Sequence, residues 1–156
     1  MSLPAIPVRS GNPCRDNACS ACCHDIEMVL TEADLARLRE ASQRDDFWFE
    51  ADDGYLQLRT RDGPPAAGSH AAPGAEPKPC TFLAPDGSCS VWQVRPEGCR
   101  LYPAVWDDDL RKAELDTDYC PHTAEFLLPQ ATADAARRLA ARLVLERSAR
   151  RPGRSA

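Results

Sequence analysis

Cys14-Arg15-Asp16-Asn17-Ala18-Cys19-Ser20-Ala21-Cys22-Cys23 constrains this chain more than any other stretch, because it holds four of the eight cysteines. The others are Cys80, Cys89, Cys99 and Cys120. Packing alone does not crowd thiols in this way, so they bind metal, pair as disulfides or react. Cys19 and Cys22 are spaced so that a tight turn aims both sulfurs at one ion. Cys22 and Cys23 are neighbours and cannot both point easily at one tetrahedral ion. One of them is therefore expected to serve a second site or a polynuclear cluster. The four downstream cysteines complete one or two four-sulfur sites. The candidate metal ligands are thus Cys14, Cys19, Cys22, Cys23, Cys80, Cys89, Cys99 and Cys120. All-sulfur ligation suits zinc, an iron–sulfur cluster or Cu(I).

The redox compartment decides between ligands and disulfides. No apolar run approaches the roughly 20 residues of a membrane span. The first nine residues lack the basic start and apolar core of a signal peptide. A cytoplasmic location is the resulting expectation, and thiols there are kept reduced. Metal ligation is therefore expected over disulfides, and no membrane contact is predicted.

At 156 residues the chain is expected to form one domain with a usable core. Hydrophobic residues make up 43% and charged residues 28%, as in ordinary globular proteins. Only 6% are aromatic, so the core should lean on Leu, Val and Ala. The net charge of −5 hides an asymmetry: from Thr132 onward seven arginines face only Asp134 and Glu146. A nucleic-acid protein spreads its basic residues over a folded face. Here they collect on one terminal helix and tail, so no nucleic-acid partner is expected.

Residues 1–13 read as an extended lead, 14–150 as the cysteine-cluster metal-binding domain, and 151–156 as an Arg-rich tail. Ile26–Leu30 reads as a short strand. Thr31 reads as a helix N-cap, with Glu32 and Asp34 in a dipole-favoured first turn. A helix over 32–42 follows, with Leu35, Leu38 and Ala41 on its apolar face. Phe47–Phe49 should close over the core, and Tyr55–Leu58 should form a strand. Residues 59–79 hold five prolines, three glycines and five alanines and read as a flexible insertion. Asp86-Gly87 between short apolar runs signals a hairpin. The stretch from Arg95 to Pro103, bracketed by two prolines, reads as a rigid loop or one short helical turn. Ala104–Trp106 and Ala113–Leu115 can pair across Asp107–Asp109. A helix over 131–150 carries Leu139, Ala140, Leu143 and Val144 at helical spacing. The predicted class is a small, loop-rich α+β domain with short strands and two to three helices.

The N-terminal cluster, Cys80-Thr-Phe-Leu83, Gly87-Ser-Cys89-Ser-Val-Trp92 and Arg95-Pro-Glu-Gly-Cys99-Arg-Leu-Tyr-Pro103 together resemble the YkgJ-type CxxCxxCC cysteine-cluster family, zinc- or iron-chelating domains. The resemblance runs from about Cys14 to Pro121, the insertion excepted. It implies that Cys19, Cys22, Cys23, Cys80, Cys89, Cys99 and Cys120 belong to the family's cysteine set. Cys14 matches the first cysteine, although its gap to Cys19 is longer than the motif's name. His122 stands where glycine is common after Cys-Pro. A flagellin lysine methylase is similar through the same cluster and is associated with iron–sulfur. That places an iron–sulfur cluster ahead of zinc as the implied cofactor, without extending to methyl transfer.

Other candidates carry less. His24 and His122 are each either a ligand or an ordinary polar residue, and His70 falls in the insertion. A Cys–His nucleophile would need an activated thiol beside a base, and no motif supports one. Arg95 and Arg100 flank Cys99; they either offset thiolate charge and raise a redox potential, or Arg95 pairs with a local carboxylate. Asp107–Asp109 lacks the glycine and distant glutamate of a calcium loop and reads as a solvated turn. Trp92, Tyr102 and Trp106 are expected to pack around the metal-bearing loops. The Arg-rich helix reads as a solvated face, or as a dock for an acidic protein partner. The functional expectation is an iron–sulfur or zinc protein with a redox, metal-handling or accessory role. A zinc-stabilised interaction module and a metal-dependent enzyme of unknown reaction are the alternatives.

Overall fold

Helix α2 (Glu32–Ser42) is the best-specified element of the computed structural model, which describes residues 12–69, 74 and 76–153. Thr31 caps it by accepting from the Asp34 amide at 3.0 Å, and the Thr31 amide donates back to Asp34 Oδ2 at 3.0 Å. This reciprocal capping box satisfies two donors that the first turn would otherwise leave open. Leu35 and Leu38 face inward from α2 and are buried.

Beside it lies a three-stranded antiparallel sheet in the order β1 (Val29–Leu30), β3 (Leu56–Leu58), β2 (Trp48–Glu50). Leu30 opposes Leu56, and Trp48 opposes Leu58. The core joins Leu30, Leu38, Phe47, Leu56, Leu58, Phe82 and Leu83. Leucine dominates it as expected, but Phe47 and Phe82 anchor it, with ring centroids 5.2 Å apart. Phe47 does close over the core, and the residues after it add strand β2, which the sequence pattern did not disclose. Two further short helices complete the front of the molecule: α1 (Pro13–Asp16) and α3 (Glu97–Leu101).

Strands β4 (Ala104–Asp107) and β5 (Lys112–Leu115) form the expected second hairpin, with Trp106 opposite Ala113. Helix α4 (Gln130–Arg150) packs on this hairpin and on α3. Its arginines are not a purely solvated face. Arg142, Arg150 and Arg151 pair with Glu97, Glu32 and Glu50 at 2.9, 3.0 and 2.7 Å. The Glu32 amide donates to Glu146 Oε2 at 2.9 Å. Three of the seven C-terminal arginines are therefore paired within the chain, with glutamates of α2, β2 and α3. Each pair is partly exposed and contributes about 0–1 kcal/mol.

Within the stretch read as an insertion, residues 59–69 touch the cysteine loops. Arg61 donates its amide to the Pro79 carbonyl at 2.8 Å, and Ala67 donates to that of Pro85 at 3.0 Å. Positions 70–73 and 75, His70 among them, lie outside the described residues, as do 1–11 and 154–156. No helix among the described residues is long and apolar enough to cross a membrane.

Candidate metal centre

Local backbone chemistry places each cysteine. Asn12 Oδ1 caps α1 by accepting from the Cys14 amide at 3.0 Å. The Cys19 amide then donates to the Cys14 carbonyl at 2.9 Å, after Ala18 turns the chain at φ 48°. Ser20 anchors the next turn: its amide reaches the Gly68 carbonyl at 3.0 Å and its hydroxyl the Ala67 carbonyl at 2.5 Å. A 3-10 turn over Ala21–Cys23 presents the adjacent pair. Cys80 joins directly, its amide donating to the Cys23 carbonyl at 2.7 Å.

The Asp86-Gly87 turn brings Cys89 back beside Leu83 in an isolated antiparallel bridge, and the Leu83 amide donates to the Cys80 carbonyl at 2.9 Å. Cys99 lies within α3, whose entry is fixed by Asp34. Asp34 Oδ1 accepts from the Glu97 amide at 3.0 Å and from Arg37 at 2.5 Å. Arg37 in turn donates to the Val94 and Arg95 carbonyls. At the far end, Asn17 donates to Glu125 at 2.9 Å, which ties the N-terminal cluster to the turn after Cys120.

The result is a cavity of about 400 Å³ lined by seven of the eight cysteines, Cys120 being the exception. Cys120 is buried nearby and acts electrostatically on Cys14 and Cys19. All eight are free thiols. Among the described residues no three His, Cys, Asp or Glu side chains stand ready-made around a metal position. The donor chemistry fits a thiophilic metal.

Burial sets the proton affinities. It pushes the Cys14 thiol up to about 12 and Cys80 up to about 11, with neighbouring thiols adding to both. Cys19, Cys89 and Cys99 are also raised, chiefly by burial. The Cys23 thiol donates to Cys22, so Cys22 is lowered and Cys23 raised. These couplings trace which thiols lie near one another. Cys14 and Cys19 feel Cys22 and Cys120. Cys23 feels Cys80 and Cys99 beyond its neighbour Cys22, and Cys99 feels Cys80, Cys22 and Cys89, so Cys22 stands between the two groups.

The histidines take other work. His24 is buried, its Nδ1 donating to the Ser20 carbonyl at 2.9 Å and its Nε2 accepting from the Ala66 amide at 3.0 Å. Both ring nitrogens are thereby used in holding the Ser20 turn. His122 Nδ1 lies 3.1 Å from Glu125. Arg95 forms no ion pair with a carboxylate among the described residues. It donates to the Trp92 carbonyl at 2.8 Å and stacks 3.7 Å over the Trp92 ring, whose other contact is Arg15 at 4.4 Å. Trp92 thus packs at the cysteine cavity as expected. Asp34 and Arg37 went unread as site-positioning residues. The Thr31-x2-Asp34 spacing signals the capping box, but nothing local signals the reach of Asp34 to Glu97.

A capped α+β scaffold that directs seven thiols into one cavity defines a cysteine-cluster domain. The family model described as "CxxCxxCC: Putative zinc- or iron-chelating domain" matches residues 13–121, and the chain belongs to that family. No curated protein and no solved structure matches the chain.

Proposed function

We propose that the chain binds its metal through two four-thiolate sets, Cys14, Cys19, Cys22 and Cys120 in one, and Cys23, Cys80, Cys89 and Cys99 in the other. The observation that carries this reading is the convergence of seven thiols on one cavity, with Cys120 coupled to Cys14 and Cys19. The adjacent Cys22 and Cys23 then belong to different sets, which removes the conflict of two neighbours reaching for one ion. An iron–sulfur cluster is placed ahead of zinc, in a cytoplasmic protein with a redox, metal-handling or accessory role. The four-and-four division also suits two tetrahedral zinc ions, which would make the chain a structural or protein-interaction module. When bound, an iron–sulfur cluster supplies one-electron chemistry, whereas zinc supplies a cross-link between the loops. Helix α4 lies beyond the matched segment yet packs on α3, so we place it within the same domain, 14–150.

Anaerobic purification with metal and acid-labile sulfide analysis tests the reading. Iron with matching sulfide supports the cluster, and zinc without sulfide supports the alternative. Freshly isolated protein with less than about one metal per chain would end both.

A further inference from the structure

A second cavity, of about 500 Å³, opens on the far side of Cys22 between α3, the β4–β5 hairpin and α4. Cys22 is the one cysteine that lines both. The two differ in charge. Arg15, Arg95 and Arg100 outnumber Asp86 around the first, whereas the second carries Asp25, Glu27 and Asp116 and no lysine or arginine. None of these three acidic residues forms an ion pair among the described residues. Asp116 is held in place by the Tyr102 hydroxyl at 2.9 Å and by the Asp118 amide at 2.8 Å.

The aromatic residues point the same way. Five rings elsewhere, those of Trp48, Phe49, Tyr55, Phe82 and Trp92, carry an arginine, Trp92 two. Tyr102, Trp106 and Tyr119 line the second cavity, and among the described residues none of them carries a cation. Leu139 and Leu143 from α4 supply an apolar wall. A cavity of this size with apolar walls and a few convergent polar groups is the usual form of a small-molecule site. Carboxyl groups without an ion-pair partner, beside aromatic rings with no cation over them, select a cation, and an apolar wall selects one on a hydrocarbon stem.

We propose that this cavity binds a small amphipathic organic cation, an alkylammonium whose stem lies along α4 and whose charged head sits between Asp116, Glu27 and the aromatic faces. The site shares a wall with the thiol cavity, formed by Cys22, Ile26, Met28 and Tyr102, which line both.

Hexylammonium, hexanol and hexanoate differ mainly in head-group charge, so they isolate that term. Each is titrated into the full chain as purified, read by calorimetry and by the indole N–H resonance of Trp106. Hexylammonium should saturate and bind about tenfold or more tighter than hexanol, with hexanoate weaker still. Glu27→Gln removes an exposed charge and should fold normally; with Asp116→Asn it should weaken hexylammonium severalfold and leave hexanol unchanged. Equal binding of hexylammonium and hexanol would overturn the proposal, leaving only an apolar dent. So would preference for hexanoate, absence of saturation, or affinity untouched by Glu27→Gln. Concentration-dependent dimerisation abolished by Leu139→Arg would also overturn it, by assigning the face to a second copy of the chain.

Discussion

Gly68 sits at φ +74°, and a Cβ there would run into the Ala18 carbonyl oxygen and come 3.2 Å from the Ser20 nitrogen. Both obstacles are backbone, so neither can swing aside like a side chain. Gly68→Ala incurs about 1 kcal/mol for a left-handed alanine. The loop must also withdraw from Ser20, loosening the bonds from the Ser20 amide and hydroxyl to the Gly68 and Ala67 carbonyls. Each such bond is worth about 1 kcal/mol. The sum is about 3 kcal/mol, or a fall in melting temperature of roughly 6–12 °C for a chain of this size. The same shift disturbs the turn between Cys19 and Cys22, so metal retention should fall as well. Denaturant unfolding of metal-loaded protein, with metal counted after gel filtration, measures both. A variant within about 0.5 kcal/mol of the parent, fully loaded, would refute the claim that the 66–68 loop buttresses the cysteine turn.

Asp34→Asn keeps the shape but removes the charge facing Arg37 and one acceptor from a residue 1% exposed. A loss of about 2–3 kcal/mol is expected in chemical denaturation; an unchanged midpoint would show that α3 is positioned without it. Leu38→Ala, at a fully buried position, should cost about 2–5 kcal/mol by the same measurement. The raised thiols set opposite pH trends for the two forms. A thiol raised on folding stabilises the folded state below its unfolded value and loses that contribution as pH climbs through the folded one. The metal-free protein should therefore lose stability as pH rises from 9 toward 12, the interval over which Cys14 is displaced. Metal affinity should instead rise with pH from 6 to 8, because bound thiols must give up protons; a flat affinity in competition titrations would argue against thiolate ligation.

Much of this fold could be read from local pattern. Thr31 and the Leu35–Leu38 spacing marked α2, and the two apolar runs around Asp107–Asp109 marked the β4–β5 hairpin. The strand at Trp48–Glu50 escaped because three residues are too few to show a period. The adjacency of Cys22 and Cys23 already suggested two destinations, but the partners of each depend on loop closure over more than fifty residues. The terminal arginines looked like a surface facing outward, and only the placement of α4 against Glu32, Glu50 and Glu97 shows three of them paired within the chain. His24 was ambiguous for a similar reason: its two partners, Ser20 and Ala66, include one from a distant loop.

The division of eight thiols into two sets is the central claim about this metal centre. The most direct measurement is metal and sulfide content of anaerobically purified parent beside Cys99→Ser and Cys120→Ser. The parent should carry about two equivalents of zinc, or about two clusters' worth of iron and sulfide. Each variant should lose about half of that and keep the other half in place. Retention of the full complement in either variant would contradict the division. Parent protein with intact disulfides and less than about one metal per chain would contradict metal binding itself.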